Sequence, residues 1–366
     1  MRPAFRAAAA LAAVALLAAG CAKPSTTTSP GSGSGGAAKF TGCMVTDTGG
    51  INDKSFNQSS WQGMQAAAAT NPNITVKYLP STTTSDYAKN ISTFISQKCG
   101  VIVTVGFLMG AATEAAAKAN PHQKFAIVDC SYSSGCLTGT HEKNITQLVF
   151  TTAQDAFHGG YLAAGMTKSG KVATYGGMKF GTVTIYMDGF WDGVQYYNKQ
   201  HGTHVQVLGW SYPNQNGTFA GSFTNITAGQ TIANTFIHAG ADIIFPVAGG
   251  VGLGSAKAVQ TADTSGKHVA MFWVDTDGCV SAATYCKYFI TSVEKGISTA
   301  VKFSVLGAAR GHTGGSYVGT LANGGAVLAP YHFYTGKVPS KLQTELAAVK
   351  AAIIAGKIVP QTKSPV

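Results

Sequence analysis

Residues 44–64 read MVTDTGGINDKSFNQSSWQGM. Met44, Val45 and Thr46 make a short strand pattern, Asp47 closes it, a glycine-containing polar loop follows, and a helical stretch opens at Phe56 and Asn57. The order strand, polar loop, helix then repeats down the chain. Further strand candidates are 76–79, 101–105, 125–128, 147–150, 171–175, 204–209, 242–247, 269–274 and 288–292. Several are unbroken Val/Ile/Phe runs, as expected of parallel strands covered on both faces. Between them, Tyr87, Ile91, Phe94 and Ile95 fall on one helical stripe, and 111–119 and 153–166 read as further helices. Near the end, Ser340 and Gln343 form an S-x-x-Q capping box ahead of Leu342, Leu346, Val349 and Ile353, with Gly356 as a stop. Repeated strand–helix alternation predicts an α/β architecture with parallel sheets. Ligands of such sheets sit beyond the C-terminal ends of the strands. The residues at those ends are polar or small: Asp47, Gly106, Asp129, Gly249, Gly250, Asp275 and Asp277.

The start of the chain has a different character. Arg2 and Arg6 precede an apolar stretch, Ala7 to Ala19, of 13 residues, closed by Gly20 and Cys21. A membrane span needs roughly 20 apolar residues, so residues 1–20 read as a lipoprotein signal peptide. Leu17-Ala18-Ala19-Gly20-Cys21 resembles a lipobox, with Cys21 as the lipidated residue and Leu one step further back than usual. Residues 21–38 are then the anchor and a flexible Gly/Ser/Thr/Pro linker, too poor in hydrophobes to order itself. No other long apolar stretch occurs, so the remaining 328 or so residues are expected to be soluble, with enough length for two lobes. The formal charge of +11 falls to +9 once Arg2 and Arg6 leave with the signal, and the basic residues are scattered. A nucleic-acid binder concentrates its basic residues in a patch, so no nucleic-acid partner is expected.

Beyond Cys21 there are six cysteines, Cys43, Cys99, Cys130, Cys136, Cys279 and Cys286. An even number in an exported chain reads as disulfides, with fifteen pairings open. Local spacing favours Cys130–Cys136 and Cys279–Cys286, which leaves Cys43–Cys99, each just before a predicted strand. Neither a CxxC pair nor an HxxxH is present, so no metal is expected. Residues 249–254 superficially look like a nucleotide loop, but Ser255 stands where GxGxxG needs its last glycine, and no phosphate-loop GKS or GKT occurs. His141-Glu142 begins like a zinc-protease motif, with Ile145 in place of its second histidine. There is no GxSxG elbow. No cofactor, no catalytic residue and no enzyme activity are expected.

The 44–64 segment is similar to the signature of the basic membrane protein family, the Med-like and purine-nucleoside-receptor-like substrate-binding lipoproteins of ABC importers. The resemblance continues in order through 105–108 (VGFL), 125–129 (FAIVD), 189–194 (GFWDGV), 221–223 (GSF), 248–252 (AGGVG), 274–277 (VDTD) and 291–295 (TSVEK), spanning about 43–358. It implies a type I periplasmic-binding-protein fold, with two doubly wound parallel-sheet lobes joined by a multi-strand hinge. The N-terminal lobe is then 39–150 plus about 291–325, and the C-terminal lobe 151–290 plus about 326–366, with crossings near Thr151, Ile290 and Gly325. The implied function is extracytoplasmic capture of a nucleoside, purine foremost, by hinge closure. The chain would be a monomer on the outer face of the cell membrane, partnered by permease and ATPase subunits. A ligand-sensing receptor of the same fold, or a binder of a free sugar or other sugar conjugate, is the alternative.

The resemblance also assigns roles. Asp47 would touch base or sugar. Phe56, beside Asn57, and Phe223 from the other lobe would stack on opposite faces of a nucleobase. Asp129 would take a donor on the base edge. Gly249 and Gly250 would allow the backbone close to a sugar. Asp275 or Asp277 would hold ribose hydroxyls, Asp275 being favoured and the other structural, and Lys295 would donate to a hydroxyl or pair with an Asp. Gly278 and Cys279 depart from the family's usual Gln after the second Asp. Tyr186 and Phe190 are expected in the core, and Trp61 in the core or on the surface.

Overall fold

The computed structural model describes residues 39–139 and 141–364; the expected signal peptide, Cys21 and the linker to residue 38 lie outside the described residues. The chain opens with β1 (Phe40–Val45), α1 (Phe56–Thr70), β2 (Ile74–Leu79), α2 (Asp86–Ser96), β3 (Val101–Val105), α3 (Gly110–Ala119), β4 (Phe125–Val128) and β5 (Ile145–Phe150). There follow α4 (Thr152–Met166), β6 (Lys171–Gly176), α5 (Gly181–His201), β7 (Gln206–Leu208), a small hairpin of β8 (Trp210–Ser211) and β9 (Asn216–Gly217), α6 (Ile226–His238), β10 (Ile243–Val247), α7 (Gly252–Thr264) and β11 (Ala270–Val274). The end is formed by α8 (Gly278–Ser281), β12 (Phe289–Lys295), α9 (Ile297–Ala309), β13 (Ser316–Gly319), β14 (Ala326–Leu328) and α10 (Ser340–Ile354).

Two six-stranded sheets result. The first runs β13-β5-β4-β3-β1-β2 and the second β14-β12-β11-β10-β6-β7. Every pairing in them is parallel except β12 with β14. Alternate residues of a strand serve opposite faces, which is why the Val/Ile/Phe runs are unbroken. In β4, Phe125 and Ile127 join α2 and α3 residues in one core, while Ala126 and Val128 join α1 and α9 residues in the other. In β11, Phe272 and Val274 face α4, α5 and α10, while Met271 and Trp273 face α6 and α7. The α4–α5 crossing is close enough that a Cβ on Gly160 would lie 2.0 Å from the Phe190 carbonyl oxygen; only glycine fits there.

By sheet membership the chain passes between the lobes at Thr151, at Gly296 and over residues 320–325. The middle passage corrects the expected one near Ile290. Residues 291–295 remain in β12 because they continue pairing with β11 on one side and β14 on the other. The three passages are tied to one another: Thr151 N donates to Gly319 O at 2.8 Å and Gly296 N to Gly325 O at 2.9 Å. The short strands β13 and β14 gave no sequence signal, since few of their residues are buried. The capping box is not formed. Pro339 stands at the N-cap, Ser340 is already helical, and Gln343 donates instead to Val338 O at 2.8 Å.

The disulfides are Cys43–Cys99, Cys130–Cys136 and Cys279–Cys286, with Cα separations of 6.0, 5.4 and 4.5 Å. Cys43 lies inside β1 rather than ahead of it, and reaches Cys99 because β1 and β3 are parallel neighbours. Among the described residues, no helix is long and apolar enough to cross a membrane.

Candidate ligand-binding site

The C-terminal ends of both sheets face one hollow with about 690 Å³ of empty space. Into it converge Asp47, Phe56, Asn57 and Asp129 from the first lobe and Phe223, Gly249, Gly250, Asp275 and Lys295 from the second. Asp277 is not among the lining residues. Its carboxylate accepts from Cys279 N at 2.9 Å, capping α8, and from the His332 ring at 2.7 Å. A two-residue step along the turn after β11 thus separates an acid that reaches the hollow from one that caps a helix outside it, and of the two acids expected at the sugar only Asp275 lines the hollow.

Local chain geometry aims the side chains. Asp129 and Asp275 each follow a strand directly, β4 and β11, and each has a left-handed backbone, φ 60° and 67°. Aspartate tolerates this region better than most residues. Each backbone N–H still donates to the neighbouring strand, Asp129 N to Leu148 O at 2.8 Å and Asp275 N to Val293 O at 2.9 Å. The turn therefore ends the strand without leaving a donor unpaired. Gly106, at φ 109°, allows β3 to pass beside Asp47; a Cβ there would lie 2.6 Å from Asp47 Oδ2.

The acids are held differently. Asp47 accepts from Thr48 N at 2.6 Å and from the Tyr87 hydroxyl, and its own N–H donates to Asn57 Oδ1 at 3.0 Å. Burial raises its carboxyl above the usual range, against the Tyr87 bond. Asp53 also lines the hollow, but it accepts the backbone N–H groups of Ser55, Asn57 and Gln58 at 3.0, 2.8 and 3.0 Å. From two residues ahead of the N-cap, Ser55, it satisfies the free N–H groups that open α1, and burial pushes it up to about 6. Asp129 is ion-paired with Lys295, and both are almost wholly buried. Burial raises the Asp129 carboxyl and the lysine charge opposes the rise. The Lys295 ammonium also lies 4.8 Å from the Tyr186 ring centroid and 5.8 Å from that of Phe56. Asp275 accepts from the Tyr186 hydroxyl at 2.8 Å.

Aromatic rings complete the walls. Phe223 lies against Gly177, where a Cβ would meet its ring at 2.3 Å. Phe107 and Phe180, one from each lobe, stack with centroids 5.6 Å apart and planes 23° apart, and both line the hollow. Neither was given a role from the sequence; Phe107 stands in the 105–108 motif, directly after Gly106 at the end of β3, where the strand-end rule points, and Phe180 was not singled out. Tyr186 is fully buried, as expected, yet it also lines the hollow through its hydroxyl bond to Asp275.

The model of a family described as ABC transporter substrate-binding protein, PnrA-like (Bmp), matches residues 40–358. The chain belongs to the Bmp family. An ABC transporter nucleoside-binding protein BmpA from Lactococcus lactis subsp. cremoris is 31% identical over 97% of both chains. A CD4+ T-cell-stimulating antigen from Listeria innocua is 32% identical over 65% of this chain and 63% of its own. Among solved structures, an ABC transporter solute-binding protein from Aeropyrum pernix K1 shares the fold with a TM-score of 0.76, at 23% identity, over 89% of this chain and 94% of its own. The architecture is the type I periplasmic-binding-protein fold, and the Bmp family assigns the chain to substrate binding for an ABC transporter.

Proposed function

We propose that this Bmp-family chain captures a nucleoside, a purine nucleoside foremost, in the interlobe hollow, and hands it to the permease of an importer while anchored through Cys21 to the outer face of the cell membrane. The observation that carries the reading is convergence: Phe56 and Phe223, Asp47, Asn57, Asp129, Asp275 and Lys295 come from two lobes and line one hollow. Rings suit a flat base, and carboxylates and an ammonium suit its donors and the sugar hydroxyls. The name of the Lactococcus relative agrees. Gly249 and Gly250 leave the backbone bare beside the hollow.

A thermal-shift screen of nucleosides, free bases and ribose tests the reading. A ligand at 100 times its dissociation constant adds about 2.7 kcal/mol, so at least one nucleoside raises the melting point and ribose does so weakly or not at all. Phe56→Ala loses the response. A screen in which ribose matches or exceeds every nucleoside would replace the nucleoside by a sugar. The anchor is checked separately: in a bacterial host the wild-type chain partitions with membranes, and Cys21→Ser is released; equal partitioning of the two removes the lipid.

A further inference from the structure

The loop between β1 and α1 does more than line the hollow. Lys54 is left-handed, φ 60°, and this turn sends its carbonyl and the next side chain toward the other lobe. Trp273 Nε1 donates to Lys54 O at 2.9 Å. The Ser55 hydroxyl, fully buried, lies 2.8 Å from Asp275 Oδ2 and 3.1 Å from Val274 O. Two consecutive residues of the first lobe thus meet three consecutive residues at the end of β11 in the second. Asp275 receives one hydroxyl from each lobe, Tyr186 on Oδ1 and Ser55 on Oδ2.

We propose that Ser55 is the interlobe latch of this site: a positioning residue whose hydroxyl clasps the Asp275 carboxylate across the cleft and holds the lobes shut over the bound molecule. The inference rests on reading the hollow as a ligand trap. The bond joins groups 220 residues apart on two lobes whose chain crossings are the three hinge passages, so opening the hinge breaks it. A hydrogen bond to an ionised acceptor outweighs a neutral one. Because Ser55 immediately precedes Phe56 and Asn57, engaging the latch also sets those two residues against the ligand. The consequence is kinetic: the latch is made whenever the lobes shut, with or without a ligand, and must break before they part, so it slows release far more than it alters capture.

The test uses Ser55→Ala in the full chain, with adenosine, guanosine and inosine as probes, followed by stopped-flow tryptophan fluorescence. Release is expected to quicken about tenfold to a hundredfold, while the association rate stays within about twofold. Asp275→Asn and the double variant complete a cycle. If Ser55 acts through Asp275, the double variant releases no faster than the worse single, whereas additive effects would show that Ser55 works elsewhere. If no nucleoside binds the wild-type chain, the nucleoside reading falls on its own account. The latch is then read from small-angle scattering of the free protein, where Ser55→Ala has the larger radius of gyration. Equal release rates, or equal radii in a chain without a nucleoside ligand, overturn the latch.

Discussion

Lys295→Met will destabilise the fold by about 3–5 kcal/mol at neutral pH, because it strands a largely buried Asp129 carboxylate without its partner. Lys295 is 4% exposed and Asp129 8%, and their ion pair lies in the wall of the hollow. The pair itself need not add net stability, since the charges lost much hydration when they were buried. Removing one partner is different, because the remaining charge keeps the desolvation penalty and loses its compensation. Lys295→Met/Asp129→Asn should therefore regain most of the loss, and urea denaturation midpoints with matched slopes measure both. The single variant will also show a larger pH dependence than wild type. Burial already raises the Asp129 carboxyl, and the lysine is what opposes the rise. Without lysine the folded form holds this proton to higher pH than the unfolded chain does. The folded state then binds more protons across that interval, so stability falls as pH rises from the unfolded carboxyl range, about 4, and recovers on acidification. A Lys295→Met chain as stable as wild type, at every pH, would mean that the Asp129 carboxylate left behind is hydrated.

Loss of the Cys43–Cys99 bridge in Cys43→Ala/Cys99→Ala is expected to lower stability by about 4 kcal/mol, against about 2 kcal/mol for either of the other two bridges removed in the same way. The difference follows from loop length. Cys43 and Cys99 are 56 residues apart, whereas Cys130–Cys136 and Cys279–Cys286 close intervals of 6 and 7. A longer loop removes more freedom from the unfolded chain when it is closed. The bridge also pins neighbouring strands: β1 carries Cys43, Cys99 lies just before β3, and the two strands pair in parallel. Equal losses for all three double variants in urea would show that loop entropy is not what these bridges contribute.

The hinge illustrates what short-range patterns carry and what they do not. Phe125 to Val128 and Ala270 to Val274 are fully apolar, so their strand character and their burial on both faces were legible as composition. The edge strands β13 and β14 have few buried residues, and nothing local marks them. The extent of β12 was misjudged for a related reason. The strand was read as ending at Ser292, and Glu294 and Lys295 look like the start of a loop, yet β14 holds both in the ladder. The polar end of that strand reaches the hollow, which Lys295 lines.

Strand–helix alternation, parallel sheets buried on both faces, and the polar residues that close each strand were determined by the sequence alone, because each depends on neighbours within a few residues. Pairings across the cleft were decided only by the tertiary structure. Lys295 finds Asp129 across 166 residues and Ser55 finds Asp275 across 220. Likewise, only the packed turn after β11 separates Asp275, inside the hollow, from Asp277, which caps a helix and binds His332. Such choices depend on how the ends of two separate sheets are brought face to face, and that geometry leaves no periodic trace along the chain.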